Sequence, residues 1–151
     1  MRGEECGQSL FEIMLALAIS TLIVIALVAL TSNAIRNSTF SKNKSLATRY
    51  SQEATEWLRG ERDADFDAFK IRALTPLYCL PSLSWAEASI GACAAGQEIS
   101  GTIFKREISF SISSIGGKTI IQAAINVHWT DSQGLHEVRS VTNFSDWRET
   151  E

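Results

Sequence analysis

The stretch Gly7-Gln8-Ser9-Leu10-Phe11-Glu12, followed without a break by the apolar run from Ile13 to Leu30, decides how the rest of this chain is read. A helix rises 1.5 Å per residue, so about 20 apolar residues cross the roughly 30 Å hydrocarbon core of a bilayer. Ile13 to Leu30, extended by Leu10 and Phe11, meets that length. The strongly polar group within it is Glu12. An ionised carboxylate at membrane depth costs about 2.5–3.5 kcal/mol even on lenient insertion scales, which makes Glu12 a functional candidate. The plainer alternative is a carboxylate at the headgroup boundary, where water reaches it and most of that cost vanishes.

A glycine, four residues and then a glutamate at the rim of a membrane-length segment resembles the N-terminal signal of type IV pilins and pseudopilins. The resemblance implies a leader at residues 1–7, cut by a prepilin peptidase between Gly7 and Gln8, with N-methylation of the new terminus at Gln8. Glu12 would be retained for assembly. Its carboxylate would meet the new α-amine of a neighbouring subunit, and opposite charges in a low-dielectric setting attract strongly and neutralise two costly ions. Gln8 stands where the family usually carries phenylalanine, and Arg2 is offset by Glu4 and Glu5 where family leaders tend to be basic. A secretory signal peptide competes for the same segment, with Ser32-Asn33-Ala34 as a small-x-small cleavage site. Its apolar region is normally about 7–15 residues, and it leaves Glu12 and its spacing from Gly7 without a role.

The 151 residues carry a net charge of −3, with room for one domain once the span is set aside. Acidic and basic residues are interspersed over the soluble part, which argues against wholesale nucleic-acid binding. After Leu30 the pattern turns amphipathic, with Leu46, Tyr50, Ala54, Trp57 and Leu58 recurring at helical spacing and no proline before Pro76. One continuous helix from about Ser9 to about Gly60 is predicted. The Ser-, Thr- and Asn-rich patch from Thr31 to Ser45 lowers helix propensity and is expected to hinge or fray. Gly60 and the acidic cluster Glu61, Asp63, Asp65 and Asp67 are expected to end the helix, and Phe66, Phe69 and Ile71 to tuck beneath a sheet. Those carboxylates lack the glycine and closing glutamate of an EF-hand loop, so a solvated helix exit is the better reading than calcium.

Cleavage after Gly7 would remove Cys6 and leave Cys79 and Cys93 as an even pair across a loop, which suits a disulfide in an oxidising exterior. Closing such a loop contributes about 3 kcal/mol in the chain-entropy model, with Leu83 and Trp85 expected to pack beneath it. A zinc site from Cys79, Cys93, His128 and His136 is the alternative. Neither spacing fits a zinc pattern, and a turn at Asp131 to Gly134 would send the two histidines to opposite faces of a hairpin.

From Gly101 the period becomes two. Ile103 to Ile112, Thr119 to Thr130 and Leu135 to Phe144 read as strands joined by turns at Gly116-Gly117 and Asp131 to Gly134. Ile121, Ala123, Ile125, Val127 and Trp129 alternate with Gln122, Ala124, Asn126, His128 and Thr130. Such a meander needs a cover on its apolar face, and the amphipathic half of the helix supplies one. A fourth strand from the preceding loop would fit the same sheet. The expected fold class is α+β and pilin-like: a long N-terminal helix, membrane-spanning in its first half, packed on a C-terminal antiparallel sheet. The expected divisions are a leader at 1–7, a transmembrane or filament-core helix at 8–33, its amphipathic half at 34–62, a variable disulfide-bearing loop region at 63–101 and a sheet head at 102–151. The stretch from His128 to Gly134 and the ending Thr142 to Trp147 look like those of minor pilins.

No phosphate-cradling glycine loop, serine nucleophile elbow or HExxH occurs, and the two histidines and scattered carboxylates form no triad, so neither an enzyme nor a cofactor or resident metal is expected. The resemblance implies a structural subunit of a type IV pilus or of a type II secretion pseudopilus. Its partners would be the prepilin peptidase, other pilin or pseudopilin subunits, an inner-membrane assembly platform and the lipid membrane. The chain would cross the bacterial inner membrane once, head outward, before joining an extracellular pilus or periplasmic pseudopilus. Two alternatives remain: a filament-tip subunit whose loop binds a surface or nucleic acid, and an anchored or secreted domain unrelated to filaments.

Overall fold

The computed structural model describes residues 6–146, with side chains from Leu10 onward. Most of the expected leader, the side chain of Gln8, and Trp147 therefore lie outside the described residues. The chain divides into two compact units, residues 1–42 and 43–151. The described residues of the first are the N-terminal part of α1 (Cys6–Ala64). Its side chains from Leu10 to Ile35 are exposed throughout, so no hydrophobic burial within the chain stabilises it. Helical backbone bonds do, because every interior N–H and C=O is satisfied inside the segment, the condition a membrane imposes.

The Ser/Thr/Asn patch is helical in the structure and shows no break at residues 31–45. Thr31 Oγ1 donates to the Leu27 carbonyl (2.8 Å) and Thr48 Oγ1 to that of Lys44 (2.9 Å). Hydroxyls that might have competed for the backbone are instead absorbed by carbonyls one turn back, which helices tolerate. Nor does Gly60 end the helix: α1 continues through it to Ala64. A single interior glycine costs only about 1 kcal/mol relative to alanine, and the flanking Arg59, Glu61 and Arg62 are good helix formers. The break comes at Asp65, whose extended backbone (φ −156°, ψ 104°) cannot continue the helix and whose side chain accepts from the Ala68 N–H as the N-cap of α2 (Phe66–Ala73).

The second unit has an α+β architecture in which α1 packs on a five-stranded antiparallel sheet, the arrangement expected. The strands are β1 (Leu77–Cys79), β2 (Ser89–Ile90), β3 (Lys105–Ile115), β4 (Lys118–Asp131) and β5 (Gly134–Ser145), in the order β2-β1-β3-β4-β5. The three long strands are those read from the alternation, shifted at their ends by one to three residues. The loop region supplies α2 and two short strands rather than one. Gly116 and Gly117 (φ 61° and 82°) turn β3 into β4 by a left-handed pair that only glycine adopts without strain.

Ile121, Ala123, Ile125, Val127 and Trp129 are all buried, as their alternation requires. Ile108 and Phe110 of β3 join them, and Phe144 of β5 closes the layer. Against this face α1 presents Ala47, Ser51, Ala54, Thr55 and Leu58, spaced along one stripe. The helix centre line is therefore small-residued. Leu46, Tyr50 and Trp57, which recur at the same helical spacing, sit half-buried on its flanks. The sheet already supplies bulk through Trp129, Phe104 and its isoleucines, so volume is conserved when the facing helix is lean. Phe69 of α2 plugs the remaining gap, its ring edge-on to Phe110 (5.9 Å) and Phe144 (5.4 Å). Ile71, expected beneath the sheet, is 67% exposed. In a helix that buries Phe69 and Ala73 at i and i+4, position i+2 lies on the opposite side.

Candidate functional site

The N-terminal segment is a helix long and apolar enough to cross a membrane, by length and composition. Within it the hydroxyls of Ser20 and Thr21 donate to the carbonyls of Ala16 (2.7 Å) and Ala18 (2.8 Å), so they present no free donor. Glu12 is exposed on the helix among Leu10, Phe11, Ile13 and Met14, all likewise exposed. It is the only ionisable group between Leu10 and Ile35. A carboxylate so placed can attract a cation through an apolar surrounding, where Coulombic attraction is less screened than in water.

Cys79 and Cys93 form a disulfide with their Cα atoms 4.9 Å apart. Cys79 ends β1 and lies beside β3, opposite Glu107. The Glu107 carboxylate accepts from the Cys93 N–H (2.8 Å), which anchors the far end of the loop to the same strand. Gln97 closes it further, accepting from the Ala94 N–H (2.8 Å) and donating to Ser89 Oγ (3.0 Å).

Trp85 does not pack beneath that loop but fastens it to the helices. Its Nε1–H donates to Glu61 (2.6 Å), its ring meets Trp57 (4.7 Å) and Tyr78 (5.3 Å), and the Arg72 guanidinium lies 4.8 Å over it. Leu83 stays exposed. The acidic cluster is dispersed among separate tasks: Glu61 holds Trp85, Asp63 pairs with Arg62, and Asp65 caps α2. Among the described residues no group of His, Cys, Asp or Glu is arranged to hold a metal ion.

The histidines part company as well. His128 pairs with Glu137 and Trp129 with His136 across β4 and β5, so the two imidazoles lie on opposite faces. With both thiols spent in the disulfide, these four side chains form no ligand set. His136 stacks on Trp129 (5.2 Å) and hydrogen-bonds Asp131 (2.9 Å). The Asp131 carboxyl is held below its ordinary range, first by the Gln133 backbone N–H and then by His136, with partial desolvation opposing. An open groove of about 520 Å³ runs past Glu98, Lys105, His128 and Leu135.

The sequence reading passed over Arg106. It occupies an inward position of β3, 2% exposed, between the helix and the loop. Its guanidinium donates to the carbonyls of Leu80 (3.2 Å) and Tyr50 (3.5 Å). Burial pushes its pKa down, while the nearby Glu53 carboxylate opposes the shift. The signal was present in the alternation Arg106, Ile108, Phe110, which places the arginine on the apolar face.

No family model, curated protein or solved structure matches the chain.

Proposed function

We propose that this chain is a structural subunit of the pilin class, a minor pilin or pseudopilin, processed between Gly7 and Gln8 and assembled into a type IV pilus or type II secretion pseudopilus through its N-terminal helix. The observation that carries the reading is Glu12: a lone carboxylate five residues beyond Gly7, on an apolar helix whose side chains find no burial in their own chain. Such a helix needs lipid first and other helices afterwards. A bundle of copies supplies the second environment, and the α-amine at Gln8 of one copy supplies the counter-ion for Glu12 of the next. The disulfide-closed head, turned to the oxidising side, is the part a filament would display.

The test is the intact mass and N-terminal sequence of the protein from membranes with and without a prepilin peptidase. A peptidase-dependent start at Gln8, with or without a methyl group, is expected. A start near Ile35, or an uncleaved chain, overturns the reading. Glu12→Ala should leave membrane insertion intact and lower filament incorporation, and normal incorporation would defeat the pairing.

A further inference from the structure

We propose that the collar of α1 just beyond its apolar segment, centred on Arg36 and Lys42, binds the phosphate headgroups of anionic phospholipids. The inference rests on the membrane-spanning reading of residues 10–30. From Ile13 to Gln52 the chain carries Arg36, Lys42, Lys44 and Arg49 and not one acidic residue, although its net charge is −3. Charge is therefore segregated: Glu12 marks one rim of the span and cations alone mark the other. Arg49 is already paired with Glu53 (2.9 Å). The Arg36 and Lys42 side chains are exposed on the helix, and neither makes a hydrogen bond or ion pair among the described residues.

Depth decides which phosphates they reach. Arg36 lies six residues beyond Leu30, about 9 Å along a helix, and Lys42 twelve, about 18 Å. The headgroup layer adds roughly 5–7 Å to each side of the hydrocarbon core. Side chains on a helix tilt toward its N-terminus, here toward the bilayer. The Arg36 guanidinium accordingly reaches the phosphate layer directly. The Lys42 ammonium, at the end of a flexible stem, lies within about one Debye length of it. Ser32, Asn33, Asn37 and Ser38 surround the same level with small polar groups rather than acids that would repel a phosphate. A guanidinium grips phosphate with paired N–H donors, and each basic residue near the surface favours an anionic lipid about fivefold over a zwitterionic one.

The experiment is native mass spectrometry of the full chain released from micelles carrying equal amounts of phosphatidylglycerol and phosphatidylethanolamine. Phosphatidylglycerol adducts are expected to exceed phosphatidylethanolamine adducts by about fivefold or more. The Arg36→Gln/Lys42→Gln double variant should bring the ratio near one, while Lys118→Gln, at the start of β4, should leave it unchanged. Equal adducts for the native chain, or a preference that survives the double variant, overturns the proposal. Recovery of the chain from the soluble fraction with no bound lipid overturns the spanning reading and this inference with it.

Discussion

Arg106 shows how one side chain ties three parts of the head together. It leaves β3 on the apolar face and spends its donors on Tyr50 of α1 and Leu80 of the loop, with Glu53 as the nearby counter-charge. A buried ion is costly, and a well-packed apolar replacement is often neutral, whereas truncation leaves carbonyls without donors and a cavity besides. Arg106→Ala should therefore lower stability by about 3–5 kcal/mol and Arg106→Met by less than half as much, read from denaturant midpoints followed by tryptophan fluorescence. Equal losses would mean that the carbonyl bonds, which both variants lack, decide the site and the volume of the side chain does not. Asp131 acts in another register. Its folded pKa is depressed by the Gln133 N–H and by His136, so its contribution is fully present above the unfolded value near pH 4 and is lost as pH falls through the lower folded value. The gap in melting temperature between the native chain and Asp131→Asn should be at its full width above the unfolded value near pH 4 and narrow as pH falls below it. A gap independent of pH would assign the difference to the turn's geometry and not to its charge.

At the scale of elements, what could be read from the sequence was whatever repeats with a strong period. The apolar run, the three long strands and the glycine turn between two of them carry such periods, and the structure has them. The elements that escaped, α2, β1 and β2, are short, and their positions are set by contacts remote in sequence: Phe69 by Phe110 and Phe144, Cys79 by Glu107. The small stripe on α1 escaped for a related reason, since its logic lies in the bulk of the facing sheet. Of the candidate site, the Cys79–Cys93 pair was legible, while Arg106 and the hold of Glu61 on Trp85 were not, because each pairs residues far apart along the chain. Gly60 was misread as a terminator, and the structure turns that into a prediction. It lies inside α1, exposed, with nothing within 4 Å of where a Cβ would stand. Gly60→Ala should stabilise the head by about 0.5–1 kcal/mol, raising its melting temperature, and a fall would mean that the helix does not continue to Ala64 in solution. The disulfide acts at the same scale. Its loss in Cys79→Ser/Cys93→Ser should cost about 2–3 kcal/mol by chain entropy. Because Trp85 still clasps Trp57 and Arg72, the loop should remain docked, and combining the change with Trp85→Ala should cost more than either alone. Equal melting of reduced and oxidised protein would remove the disulfide from the account.

For the whole molecule the decisive fact is where burial begins. Among the described residues, every residue of the apolar core lies at Ala47 or beyond, and the membrane-length segment has none of its side chains buried in the chain. The core of the second unit is built from residues of that unit. A unit of roughly 100 residues with its own core is of the size that folds alone. A chain beginning at Asn43 retains the small-residue stripe of α1, Arg106 and both its carbonyl partners, the Trp85 clasp and the disulfide. It loses Glu12 and the collar cations Arg36 and Lys42. Such a fragment should be soluble without detergent, melt cooperatively and be stabilised by its disulfide, whereas the full chain should need a micelle or bilayer to stay dispersed. Sedimentation and thermal unfolding of the two side by side check this. If the fragment aggregates or melts without cooperativity, the N-terminal helix supports the head in a way its exposed side chains do not account for. If it folds, export and assembly can be dissected on the helix and the head separately, and a change such as Glu12→Ala can be charged to assembly without a parallel loss of the fold.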